Sequence, residues 1–95
     1  MSKIRFEEIG TSKARYVLVE DGHEAELTLS IMSPKAWIAD HTGVPDALRD
    51  RGIGHRLVER LVADARAKGA RIVPLCPFVN AERRRHPDWA DVFQG

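Results

Sequence analysis

The sequence predicts an α/β fold of the α+β kind: a compact, mixed, mostly antiparallel five-stranded sheet in the order β-β-β-β-α-β-α, with the helices packed on the sheet. Three observations carry that prediction. Before residue 45 the chain holds four apolar, β-branched or alternating segments separated by hairpin-length breaks. After residue 52 one amphipathic pattern of helical period follows. Behind it stands a short apolar run, ARIVPLC, of strand length.

Each element has its own reason. KIRFEEI (3–9) alternates at Ile4 and Phe6 and reads as a first strand; GTSKA is a turn-rich break. RYVLVED (15–21) is a second strand, closed by Asp21-Gly22, a hairpin turn signal. In HEAELTLSIM (23–32), Ala25, Leu27, Leu29 and Ile31 face one way and Glu24, Glu26, Thr28 and Ser30 the other, the pattern of a half-buried strand. AWIADHTGV (36–44) is a fourth strand, bounded by Ser33-Pro34 and Pro45. Ile53, Leu57, Val58, Leu61, Val62 and Ala65 then form one apolar helical stripe, opposite a charged face, and Gly69 stops the helix. ARIVPLC (70–76) is a short buried strand, expected parallel to the fourth because a helix crosses over between them. Pro77 reads as a break, 79–85 as a helix, and the turn after Pro87 plants Trp89 and Phe93 in the core.

The chain has 95 residues, which fits one domain over 1–95. A net charge of +1 disfavours a nucleic-acid-binding role, which calls for a clearly basic surface. One cysteine rules out a disulfide framework within the chain and suits a reducing, cytoplasmic setting. MSKIRFEEIG lacks the apolar centre of a signal peptide, and no run is long enough to cross a bilayer, so no membrane partner is expected. Four scattered histidines with one cysteine show no ligand spacing, and no metal is expected.

The segment between the fourth strand and the helix carries the chemistry. Gly52 and Gly54 precede the helix, and Arg49, Arg51, His55 and Arg56 surround them. The first N–H groups of a helix have no carbonyl partner and carry the positive end of the dipole. Glycines let that backbone approach an anion closely, so the loop describes a phosphate or pyrophosphate site. Two nucleotide motifs do not fit: a P-loop needs Lys-Ser/Thr after its last glycine, where His55 and Arg56 stand, and a dinucleotide fingerprint needs a third glycine where Leu57 stands.

Arg49-Asp50-Arg51-Gly52-Ile53-Gly54 resembles the Q/R-x-x-G-x-G/A coenzyme A pyrophosphate loop of the GCN5-related N-acetyltransferases (GNAT). HTGVP (41–45), RGIG (51–54), VPLCPF (73–78) and HPDW (86–89), in this order, resemble the small single-domain members with an HTEVP…GxG…PxCxF/Y…HPE pattern. The resemblance implies a compact GNAT fold that binds acetyl-CoA where the fourth and fifth strands splay apart, and acetyl transfer to an amine acceptor. It assigns Thr42, Gly43 and Val44 to the pantetheine arm and Arg49, Arg51, Gly52, Ile53, Gly54, His55 and Arg56 to the phosphates.

Acetyl transfer needs a deprotonated amine, a polarised thioester carbonyl and a proton for the departing thiolate. His41, near the end of the fourth strand, is the candidate base. Cys76, ending the fifth, is the candidate acid, or the nucleophile that takes the acetyl group itself. Beside these stand plainer readings: an inert buried thiol, and a histidine bonded to a neighbouring strand. Gly43 stands where the family pattern usually has Glu, and Glu82 where an aromatic residue, often Tyr, is usual; the alternative is therefore a non-catalytic coenzyme A-binding module. Arg83-Arg84-Arg85 reads as a solvated face, or as a source of one contact to the 3′-phosphate. His86-Pro87 reads as a helix break and His23 carries no signal.

Overall fold

Strand pairing follows the alternation of side chains. In the computed structural model, which describes residues 3–94, strands β1 (Ile4–Glu8), β2 (Lys13–Glu20), β3 (His23–Ser33) and β4 (Ala36–Gly43) form an antiparallel meander. The ends of the expected 1–95 unit, residues 1, 2 and 95, lie outside the described residues. Asp21 and Gly22 both take positive φ, 51° and 75°, the type I′ geometry whose twist matches that of the flanking strands. Strand β5 (Arg71–Pro74) pairs parallel to β4, giving the sheet order β1-β2-β3-β4-β5.

Helix α1 (Ile53–Lys68) makes the crossover between β4 and β5. Its stripe of Ile53, Leu57, Val58, Leu61, Val62 and Ala65 is buried against the sheet with Tyr16, Leu18, Leu27 and Leu29. Each buried leucine, isoleucine or valine of the stripe contributes about 1.5–3 kcal/mol, and this, rather than local propensity, holds the helix. Gly69, at φ 67°, ends it by donating to the carbonyls of Ala65 and Arg66.

The fifth strand is shorter than the expected 70–76. After Pro74 the chain turns, Leu75 N–H donating to Val73 O, and Cys76 caps helix α2 (Pro77–Arg84). Pro77 opens that helix instead of breaking the chain: in the first turn its missing N–H has no partner to lose. The two helices touch each other on one side of the sheet, through Phe78 against Gly54 and His55 against Glu82. The opposite face carries a charged lattice in which Arg15 bonds Glu7, Glu24 and Glu26. A short 3-10 turn (Pro87–Trp89) leads the chain back along β5, where Ile72 N–H donates to Val92 O and Gln94 N–H to Ile72 O. Trp89, Val92 and Phe93 are buried there, as expected for the two aromatic residues.

Candidate functional site

The cleft begins where β4 and β5 part. Their pairing runs from Ala36/Arg71 to Ala39/Pro74, and Cys76 N–H adds a last contact to Ala39 O at 2.8 Å. From Asp40 to Gly43 strand β4 has no β5 residue beside it. A strand edge left open in this way offers backbone donors and acceptors to an extended ligand.

A β-bulge decides which side chains face the gap. Thr28 pairs with His41 and Leu29 with Ala39, so Asp40 is the extra residue. Asp40 accepts from Ser30 Oγ at 2.6 Å and pairs with Lys13. The bulge resets the alternation. Ala39 and Thr42 both lie in register with buried leucines of β3, on the helix side. His41 lies in one cross-strand row with Glu7, Arg15 and Thr28, on the charged face, and is exposed. The structure therefore does not bring His41 and Cys76 together. It brings Thr42 instead: its Oγ1 stands 3.4 Å from Cys76 Sγ, and either atom can donate. Cys76 is buried, at 3% exposure, at the start of α2.

The other end of the cleft is the loop before α1. After a 3-10 turn (Asp46–Leu48), Asp50 and Gly52 take φ of 64° and 72°, and the helix starts at Ile53. Among the described residues no side chain caps it, and its first turn holds no acidic residue. The first helical bond is Arg56 N–H to Gly52 O, so the amides of Ile53, Gly54 and His55 stand ahead of it without a partner in the helix. Val44, Arg49, Gly52, Ile53, Gly54 and His55 line a cavity of about 250 Å³, with Phe78 of α2 as its wall. Six of the ten residues expected around the coenzyme thus share one cavity. Arg51 points elsewhere: its guanidinium bonds Glu20 and Asp21 at the β2–β3 turn, at 2.9 and 2.6 Å. Arg49 pairs with Asp46 at 2.6 Å, both exposed, an ion pair that solvent weakens and a phosphate can replace. Gly43 lies in a second depression, on the charged face, with Arg15, Glu24 and Glu26. Arg56 is half-buried in the first turn of α1, outside the cavity lining.

The sequence profile of the GCN5-related N-acetyl-transferase family matches residues 15–92. The chain belongs to that family. A GCN5-like protein from Staphylococcus aureus, solved by NMR in solution, superposes with a TM-score of 0.72 at 28% identity, covering 100% of this chain and 92% of that one. No curated protein matches. The GNAT fold and the family are thereby shown, and no helix among the described residues is long and apolar enough to cross a membrane.

One cluster beside the GNAT cleft has no signature in sequence. Glu82, nearly buried, accepts from His55 Nδ1 at 2.6 Å and from Arg85 at 3.2 Å. His86 stacks on Trp89 with ring centroids 3.9 Å apart. His55 and Glu82 are 27 positions apart, so only the packing of α2 on α1 reveals them as partners. Of the arginine run, Arg83 bonds Asn80 within α2, and Arg85, just after the helix, bonds Glu82. The single tyrosine, Tyr16, donates its hydroxyl to Asp64 of α1 at 2.7 Å, so it supplies no acid to the cleft.

Proposed function

We propose that the chain is a minimal acetyl-CoA-dependent N-acetyltransferase, one domain over 1–95, transferring acetyl to an amine. The observation that carries the reading is that the open end of β4 leads, through Val44, into the cavity before α1. Thr42, in contact with Cys76, lies on that open edge, and the uncapped start of α1 lies at the cavity. Partnerless amides at a helix start bind a diphosphate with the help of Arg49. The edge at Thr42, Gly43 and Val44 suits the amide groups of a pantetheine arm. Bound there, acetyl-CoA supplies an activated acyl group.

The chain's own groups then have separable tasks. Cys76 stands at the floor of the splay, where its S–H can give a proton to a departing thiolate. Thr42 Oγ1 holds that thiol in one orientation and returns a hydrogen bond to sulfur once the proton has left. His41 lies on the charged face of β4, where it can take the proton of an approaching amine before that amine passes the open strand edge to the thioester. Arg51, held by Glu20 and Asp21, ties the loop to the β2–β3 turn, and Arg56 adds its charge from the first turn of the helix.

A second reading, coenzyme A binding without transfer, is favoured by one observation: His41 and Cys76 lie on opposite faces of β4. Two measurements separate the readings. Titration with acetyl-CoA is expected to shift the backbone amides of Gly52–Arg56 in NMR spectra; unmoved amides would sink both. Cys76→Ala and Thr42→Val are expected to retain these shifts while losing acetyl transfer to a panel of amines. Transfer by neither parent nor variant, with binding intact, selects the binding module. Intact mass after acetyl-CoA incubation tells a covalent acetyl-Cys76 from direct transfer.

A further inference from the structure

Beside the cleft, where the start of α1 meets the end of α2, three metal-ligating side chains converge. His55, Glu82 and His86 each offer one ligand atom, and these atoms all lie within 4.8 Å of one another. Glu82 is the buried member, and its side chain is 6% exposed. Arg85 holds its Oε2 at 3.2 Å, which leaves Oε1 to face the histidines. A buried carboxylate is restricted in orientation and costs little further entropy to use as a ligand.

The two imidazoles are placed edge to edge. The His86–Trp89, His55–His86 and His55–Trp89 ring centroids are 3.9, 5.2 and 6.1 Å apart, a triangle with nearly a right angle at His86. Trp89 lies over the face of His86, so His55 lies beside its rim, and their planes differ by 27°. Ring nitrogens and their lone pairs lie in the plane of an imidazole, so this arrangement can aim two of them at one point. Face-to-face stacking could not. Trp89, itself buried, fixes the ring of His86 as an outer-shell support.

We propose that His55, Glu82 and His86 form a binding site for a divalent first-row transition ion of the zinc class. Two imidazoles and one carboxylate suit Zn²⁺ and its neighbours, and leave further positions to water. The proton inventory closes without an outside base. In the neutral tautomer that donates from His55 Nδ1 to Glu82, ion entry at Nδ1 moves that proton to Nε2. Glu59 Oε2, 3.5 Å from Nε2, then accepts from it, the carboxylate–histidine–metal arrangement that orients metal-bound histidines. On His86, Asp88 Oδ1 lies 4.0 Å from Nδ1, beyond hydrogen-bond reach, so no carboxylate commits that nitrogen ahead of the ion. The site clamps the first turn of α1 to the end of α2, and so braces the wall of the neighbouring cavity. It stands independently of acetyl transfer, since no step of the ion's binding uses the coenzyme.

The test is calorimetric titration of the tag-free chain with Zn²⁺, together with long-range ¹H–¹⁵N spectra of the imidazole rings. One ion per chain is expected, with the ring nitrogens of His55 and His86 shifting and those of His23 and His41 unmoved. Glu82→Gln and His86→Gln, both checked for folding by circular dichroism, are each expected to weaken binding by about tenfold or more. Absence of saturable binding overturns the proposal. So does binding that persists in His86→Gln and disappears in Cys76→Ser, which would assign the ion to the thiol. The ring spectra of the unmutated chain decide the matter even if a variant fails to fold.

Discussion

Gly52 and Gly54 stand one residue apart, yet a side chain at each meets a different obstacle. A Cβ at Gly52 has open space around it, but the backbone there is left-handed at φ 72°. Any L-residue in that conformation costs about 1–2 kcal/mol. At Gly54 the backbone is helical and a Cβ would lie 2.7 Å from the ring of Phe78. That ring is 40% exposed and its contacting atom is its far end, so it can swing toward the cavity. Alanine also gains about 1 kcal/mol of helix propensity over glycine. Gly52→Ala is therefore expected to lower unfolding stability by about 1–2 kcal/mol in urea titration. Gly54→Ala is expected to change it by less than about 1 kcal/mol while weakening the proposed acetyl-CoA binding, because the displaced ring narrows the cavity. A larger stability loss at Gly54 than at Gly52 would refute this division. In sequence the two glycines look like one motif; one serves the backbone and the other serves packing between helices.

Tyr16 joins β2 to α1, and its hydroxyl is the buried hinge between these elements. Burial first, and the bond to Asp64 second, push the phenol far above its ordinary value near 10. The neutral form is thus the folded form. Stability from this group is fully present below about pH 10 and is lost as pH rises beyond it, because the unfolded chain releases a proton that the folded chain keeps. As Tyr16 is the only tyrosine, phenolate absorbance is expected to appear together with the loss of helical circular dichroism, not before it. A phenolate signal in the folded chain would contradict the assignment. Tyr16→Phe is expected to cost about 1–2 kcal/mol at neutral pH by leaving Asp64 without this donor. Other features at this scale were legible in the chain itself. Period-two alternation assigned the faces of β3 correctly, and every residue of the expected helical stripe of α1 is buried, with Gly54 buried beside them under Phe78. What sequence could not show was the bulge at Asp40. One extra residue in β4 inverts every face assignment after it, which turns His41 outward and Thr42 inward. Pro77 misled for a related reason: proline both interrupts strands and opens helices, and only its place relative to the cap distinguishes the two.

At the scale of the whole molecule, both helices lie on one side of the sheet and the other side is a charged lattice, so one core layer carries the stability. A chain of this length buries a limited area, and single anchors weigh heavily in it. The heaviest at the sheet margin is the C-terminal segment. It closes β5, which would otherwise be an exposed parallel edge, through Ile72 N–H to Val92 O at 2.7 Å and Gln94 N–H to Ile72 O at 2.9 Å. Phe93 and Trp89 pack behind these bonds, and Arg66 of α1 holds Asp91 at 2.7 Å. The first contribution is burial and the last is an exposed ion pair, so they differ greatly in weight. Phe93→Ala removes a nearly buried aromatic ring and is expected to cost about 3–5 kcal/mol, a large part of the roughly 5–15 kcal/mol that holds a domain together. The melting temperature should fall by about 15 °C or more. Arg66→Met should leave it nearly unchanged. Hydrogen exchange gives the sharper readout. In Phe93→Ala the amide of Ile72 should lose protection before those in the middle of the sheet, such as Leu27, because its acceptor belongs to the released segment. Uniform loss across β2, β3 and β5 would mean that the segment is no separate clamp. Since β5 forms one wall of the splay, local release there would weaken the proposed acetyl-CoA binding at temperatures where the chain is still folded.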